Sequence, residues 1–363
     1  MVPMFYSPPN FVKEGKLFIE HYDLETEIVC PDKKMILPIP KKERACRFCK
    51  KKYPEVTFRN DAHVIPESLG NRYLISGFEC DFCNRQLGKY DDHLCHFLGI
   101  SRTLNKTRGK ENIPTFKSTD KNIRAEQSDF YGIQDTIIIS RENVSDQSFA
   151  FDSSTGMGKL TFKKASYIPL LVYKSVLKMA LTCLNPGHLS YYQLAIKYLT
   201  SDQLDKDVKG ACKLYAYNFP FGMGWQVPFA AIYKKKDPKG SIPSHIFMLY
   251  FQNTIYQIFI PLHLEDIKLL NNKTIPIYWC PPFFADPKDA LETPIQVRDY
   301  DLASTELVKG EEETIIYKLS PEALGKLASG NLETGEIVKT MEWPKHIAKI
   351  ILVKPGTIIN FPK

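Results

Sequence analysis

Cys46-Arg47-Phe48-Cys49, Asp61-Ala62-His63-Val64-Ile65-Pro66-Glu67-Ser68-Leu69-Gly70-Asn71 and Cys80-Asp81-Phe82-Cys83-Asn84 follow one another within residues 46–84. A two-residue gap between cysteines lets both thiolates of a knuckle reach one tetrahedral ion, and two knuckles complete the four-cysteine set of a structural zinc site. The gap between them, residues 50–79, is longer than a simple ribbon needs, so something is inserted. Val56-Thr57-Phe58-Arg59-Asn60 reads as a strand leading to His63, and residues 72–79 as a second strand returning. A helix is expected from Asn84 to about Leu98, stopped by Gly99. Strand, loop, strand and helix, pinned by one ion, can bring His63 and Asn84 together at a helix N-terminus. Such an end favours anions such as phosphate, and a neutral histidine there can take a proton from water.

Knuckle, Ala-His-Val-Ile-Pro-Glu-Ser-Leu-Gly-Asn and knuckle-plus-Asn together resemble the zinc-containing HNH endonucleases, which have the ββα-metal fold. The resemblance spans residues 44–100. It implies that Cys46, Cys49, Cys80 and Cys83 hold structural Zn2+. It implies that His63 is the general base activating water for attack on a DNA phosphorus, and that Asn84 ligates a catalytic Mg2+ or Mn2+. This sequence departs from the family pattern at Ala62, where an Asp, Glu or His commonly stands before the base. Asp61 is the nearest carboxylate and is taken as the second ligand, although strand alternation sets positions 61 and 62 on opposite faces. Gly88 occupies a place where some members carry a further ligand. The middle Asn of the family name has no evident match, Ser76 being nearest.

Further along the expected helix, His93 is nine residues from Asn84 and so half a turn away, facing elsewhere. Asp91 shares the Asn84 face and is a candidate supporting residue. Cys95 and His96 lack knuckle spacing and read as helix packing. Cys30, Cys183, Cys212 and Cys280 are scattered and read as buried thiols. His188, His245, His263 and His346 are isolated from one another in sequence and read as structural.

The chain has 363 residues, 44% hydrophobic and 25% charged, which excludes a disordered or collagen-like class and leads us to expect two domains. Its formal charge is +7. The excess is concentrated beside the motif: Lys33, Lys34, Lys41, Lys42, Arg44, Arg47, Lys50, Lys51, Lys52 and Arg59 precede the second knuckle, and Arg102 to Arg124 follow it. These runs are expected to form a phosphate-tracking surface, with Lys50, Lys51, Lys52, Arg59 and Arg85 as DNA-binding candidates. Nine cysteines without a secretory leader point to a reducing, cytoplasmic compartment. The most apolar stretch, Tyr167 to Leu184, carries Lys174 and Lys178 and is not read as membrane-spanning.

The fold class expected is α+β: an N-terminal zinc-supported ββα-metal domain and a larger C-terminal α+β domain. The divisions are 1–40 as an extension with one strand-like run, Lys16 to Glu20; 41–100 as the nuclease; 101–127 as a basic connecting loop; and 128–363 as a sensing or target-selecting domain. Helices are expected over 168–184 and 189–200, and strands at 136–140, 149–152, 160–163, 245–251, 256–260, 276–279, 314–317 and 347–353. The aromatic segment from Phe219 to Trp225 reads as a packed loop or a ligand pocket. The reading is a metal-dependent DNA endonuclease, of a kind that resembles anti-phage or restriction effectors. Cutting both strands needs two sites, so a homodimer or sequential nicking is expected. Two alternatives stand beside it: a non-catalytic zinc-ribbon DNA-binding protein, and a nuclease gated by a small-molecule activator on the C-terminal domain.

Overall fold

The computed structural model describes residues 6–36, 43–109, 111–130, 133–143, 147–152, 154–201, 210–220, 224–270, 275–318, 328–330, 337–339 and 349–352. The chain starts with α1 (Val12–His21), β1 (Tyr22–Val29), β2 (Met35–Ile36), β3 (Leu74–Ile75), α2 (Asp81–Leu87) and α3 (Lys89–Leu98). Next come α4 (Ser101–Leu104), β4 (Phe116–Lys117), β5 (Ile123–Phe130), β6 (Ile133–Arg141), β7 (Phe149–Asp152) and β8 (Met157–Lys163). They are followed by α5 (Pro169–Cys183), α6 (Gln193–Thr200), β9 (Lys213–Asn218), β10 (Trp225–Lys235), β11 (His245–Gln252) and β12 (Thr254–Phe259). The described part closes with α7 (Ile267–Leu270), α8 (Pro287–Glu292), β13 (Gln296–Asp301), β14 (Glu312–Lys318), β15 (Ala328–Gly330), β16 (Ile337–Lys339) and β17 (Lys349–Leu352). The expected mixture of helix and strand is present.

Two compact units form, each from two pieces of chain. The first holds residues 1–95 and 167–307, the second 96–166 and 308–363. This differs from divisions drawn along the sequence, because later segments return to pair with earlier ones. The first unit is built on an antiparallel sheet in the order β1-β10-β11-β12-β9-β13. Residues 1–40 are therefore more than an extension. Lys16–Glu20 lies in α1, whose Phe18 is buried while Ile19 is exposed, and β1 pairs along β10. Strands β11 and β12 are buried on both faces, which explains their near-continuous apolar runs. Pro276–Trp279 forms no strand. There the buried side chain of Gln257 satisfies the backbone instead, its amide donating to the Tyr278 carbonyl and its oxygen accepting the Cys280 N–H, both at 2.8 Å.

Helix α5 runs against β10 and α6, with Leu171 its one residue that is not buried. Its lysines do not face water. Lys174 donates to the Ser201 carbonyl, and Lys178 meets Glu79 at 3.2 Å. No helix among the described residues is long and apolar enough to cross a membrane.

The second unit has the sheets β17-β6-β5-β4 and β14-β8-β7 around Ile100, Phe116, Ile123, Ile137, Ile139, Phe149, Leu160 and Phe162. Residues 101–127 are thus not a connecting loop, since they supply α4, β4 and the start of β5. Residues 221–223, in the aromatic segment, and Lys41, Lys42, Lys110 and His346 lie outside the described residues.

Candidate metal and catalytic site

The first knuckle is a tight turn. The N–H of Lys50 donates to the Cys46 carbonyl at 2.9 Å and that of Cys46 to the Lys51 carbonyl at 2.8 Å, with Lys50 in the left-handed region (φ 63°). The second knuckle is the start of α2, where Cys80 is the N-cap and its sulfur accepts the Cys83 N–H. The helix consequently begins at Asp81, earlier than the sequence suggested, and pauses at Gly88 before α3.

The four sulfurs lie within 4.8 Å of one another, and those of Cys49 and Cys80 are 3.8 Å apart. A tetrahedral ion with bonds of about 2.3 Å spaces its sulfurs by about 3.8 Å, so the donor set fits zinc. The thiols share their protons unequally. Hydrogen bonding from Cys83 draws Cys46 down to about 4, while burial pushes Cys80 up to about 11. A dication bound there supplies the positive charge that lets all four act as thiolates.

Between the knuckles, the expected hairpin contracts to residues 62–64 against 74–76. His63 bridges Ile75, the Ser76 N–H donates to the Ala62 carbonyl at 2.6 Å, and the Val64 N–H to the Leu74 carbonyl at 3.2 Å. Residues 56–60 are not a strand. The Asp81 carboxylate takes their donors, accepting the N–H of Arg59 at 2.9 Å, that of Asn60 at 2.8 Å and the Thr57 hydroxyl. Asp81 thereby fastens the run-up to His63 onto the first turn of α2, the helix that carries Asn84.

The loop between positions 65 and 74 is stapled by Asn71, which is fully buried. Its amide donates to the carbonyls of Ile65 (2.7 Å) and Leu74 (2.9 Å), and its oxygen accepts the N–H groups of Tyr73 and Leu74. Ser76, the residue nearest the expected middle Asn, keeps a buried hydroxyl without a hydrogen bond.

His63 is mostly buried. Its Nε2 lies 3.5 Å from a Glu67 oxygen, and its Nδ1 is buried without a hydrogen bond. Burial lowers its pKa below the usual histidine value, against the opposing pull of Glu67 and Asp61. Asp61 is exposed and engaged by Lys34, while Ala62 faces the interior. Asn84 is half-buried on α2.

Behind the knuckles stands α5. The Arg47 guanidinium lies 3.8 Å from the Phe78 ring and donates to the carbonyls of Leu181, Thr182 and Leu184 at the end of that helix. Burial raises Glu79 to about 7 even with Lys178 beside it, and Asp91 turns to α5, accepting from the Ser175 hydroxyl at 2.6 Å. Asp91 is thus a packing residue against α5, and His93 likewise accepts the Ile168 N–H at 3.1 Å.

The basic runs divide accordingly. Arg44 and Arg47 are buried, Lys34 pairs with Asp61, and Arg124 with Glu126 in the second unit. Lys50, Lys51, Lys52, Arg59 and Arg85 are exposed. Cys30, Cys183, Cys212 and Cys280 are buried, and burial pushes each thiol up to about 12.

Sequence reasoning passed over Glu67, Asn71, Asp81 and Glu79. The first three were within the quoted stretches, the His-x-x-x-Glu spacing being a visible signal. The partner of Glu79 was not findable locally.

Residues 46–96 match the family model of the HNH endonucleases. The first unit therefore carries an HNH domain, and with it the expectation of nuclease chemistry on nucleic acid. No curated protein and no solved structure matches the chain significantly.

Proposed function

We propose that the protein is a metal-dependent endonuclease hydrolysing DNA phosphodiester bonds, with His63 as the general base. The observation that carries this reading is His63 itself. Its backbone is bridged to Ile75, and its ring is kept largely from water. Burial favours the neutral imidazole, the form able to accept a proton from a water aligned on a phosphorus.

The catalytic ion would be held by the Asn84 amide oxygen and the Asp61 carboxylate. Among the described residues no cluster of three acidic, histidine or cysteine ligands surrounds His63. That set fits a Mg2+-type ion, which takes one or two protein oxygens and completes its shell with water and substrate phosphate. When bound, such an ion polarises the phosphoryl oxygen and stabilises the leaving oxygen. Ion binding is accordingly expected to tighten when DNA is present, with Lys34 releasing Asp61.

Lys50, Lys51, Lys52, Arg59 and Arg85 would neutralise the phosphates flanking the cut. Residues 128–363 would sense or select the target, and the setting would be restriction or anti-phage defence.

The test is nicking of supercoiled plasmid in Mg2+ or Mn2+ by wild type and by His63→Ala, with zinc content measured in both. Cutting by wild type alone, at equal zinc, is expected, with a rate difference of about 10²–10⁴. Equal DNA retention with no cutting by either protein would favour the zinc-ribbon reading.

A further inference from the structure

A second cluster of ligating side chains lies in the first unit and uses no residue of the HNH segment. Glu25 comes from β1, His188 from the 3-10 turn Pro186–Tyr192, and His245 from the first position of β11. One donor atom from each lies within 4.8 Å of the other two. The His188 Nε2 is 2.7 Å from one Glu25 oxygen, and the His245 Nε2 is 3.6 Å from the other. The imidazoles are tilted by 52° with centroids 4.8 Å apart, so they do not stack.

The polar atoms at the centre are unsatisfied. The His245 side chain is 1% exposed, yet its Nε2 has no hydrogen bond, and neither has Glu25 Oε2. These two atoms face one another at 3.6 Å, too far for a hydrogen bond, and a buried donor and acceptor left without one are unfavourable, so an ion bridging them would satisfy both.

The fold aims each residue. The register of β1 on β10 shifts between Leu24 and Thr26, which places Glu25 on a bulge, a device that re-aims one side chain. His188 is fixed by Asn185, whose carbonyl accepts its N–H at 3.0 Å and whose side chain caps Gly187. The His245 Nδ1 meets the Tyr192 hydroxyl at 2.8 Å, an outer contact that leaves Nε2 as the ligating atom. His263 is not part of the set, since it stacks on Tyr191 and its Nδ1 faces the Ser244 hydroxyl.

We propose that Glu25, His188 and His245 form a binding site for a divalent first-row transition ion, Zn2+ in the first instance. Two imidazoles and one carboxylate suit such ions, whereas Mg2+ and Ca2+ prefer all-oxygen sites. Three protein ligands leave a fourth position for water or a small anion, as in open zinc sites. His188 and Glu25 are about one-fifth exposed, which gives the ion its way in. The ion clamps β1 to the turn before α6 and to the start of β11.

The 363-residue chain, dialysed against Zn2+ and in a parallel arm Co2+, is analysed for metal per chain beside His188→Ala and Glu25→Gln. Each variant is expected to hold one equivalent fewer than wild type, or to need at least tenfold more free ion for the same occupancy. The cobalt–thiolate absorbance of the cysteine site should be unchanged, which verifies that each variant is folded around the knuckles. Added Zn2+ should raise the melting temperature of EDTA-treated, zinc-knuckle-replete wild type and not that of the variants. Equal metal content in wild type and both variants would overturn the proposal and reduce the cluster to a buried histidine–glutamate network.

Discussion

The four-cysteine site and the Glu25–His188–His245 cluster are both convergent sets of ligating atoms, and they reach convergence in opposite ways. The cysteines come in pairs with two residues between them, so each pair is pre-assembled by one turn of chain and only the two turns must meet. The second set draws one residue each from a bulge, a 3-10 turn and a strand end, with Glu25 and His188 163 positions apart. A site of the first kind announces itself by spacing. A site of the second kind exists only once the six-stranded sheet has formed, and isolated histidines give no sign of it.

The comparison can be broken most forcefully at the knuckles. Cys83→Ser is expected to abolish zinc retention and collapse the segment from position 46 to 96. Structural zinc contributes apparent binding energies of about 10–16 kcal/mol. Metal analysis with circular dichroism checks this, and a folded, zinc-replete variant would mean that the sheet alone holds the segment.

Next in size is Lys178→Met. It leaves Glu79 buried without its counter-charge and is expected to cost about 3–5 kcal/mol, read by denaturant unfolding. A loss under about 1 kcal/mol would show that Glu79 is carried neutral, in line with its raised pKa.

The smallest of the three is Asn71→Ala. Removing a buried amide that satisfies two carbonyls and two N–H groups is expected to cost about 1–3 kcal/mol. It is expected to slow nicking more than it weakens zinc binding, because it loosens the loop after His63 and leaves the knuckles alone. Equal loss of both would make the hairpin and knuckles one cooperative element.

How much could be read beforehand follows the same division. The knuckles, the hairpin β11–β12 and the helix α5 are local patterns, and they stand where the sequence put them. What was misjudged depends on distant chain. Lys16–Glu20 looked like a strand because Leu17-Phe18-Ile19 is an apolar run, but only Phe18 packs inward from a helix. Lys174 and Lys178 marked the helix as not membrane-spanning, but nothing local showed that both are buried against partners on other elements. Residues 56–60 had a strand's composition but lost their ladder to the Asp81 carboxylate. Charge pairing and side-chain capping act across tens or hundreds of residues, and no window of sequence contains both ends.

The Arg47 contacts have a consequence for how the molecule is made. Its three acceptors lie 134, 135 and 137 residues downstream. At about 5–20 residues per second, a ribosome delivers them about 7–27 s after Arg47. Once Cys83 has been made, the nascent knuckles can take up metal for the rest of that interval, but Arg47 and Glu79 still lack their partners on α5. Translation therefore separates metallation from completion of the domain. A ribosome-arrested chain ending near residue 150 should bind zinc yet be cleaved readily by protease, whereas one extended well past residue 307, where the first unit is complete, should resist it.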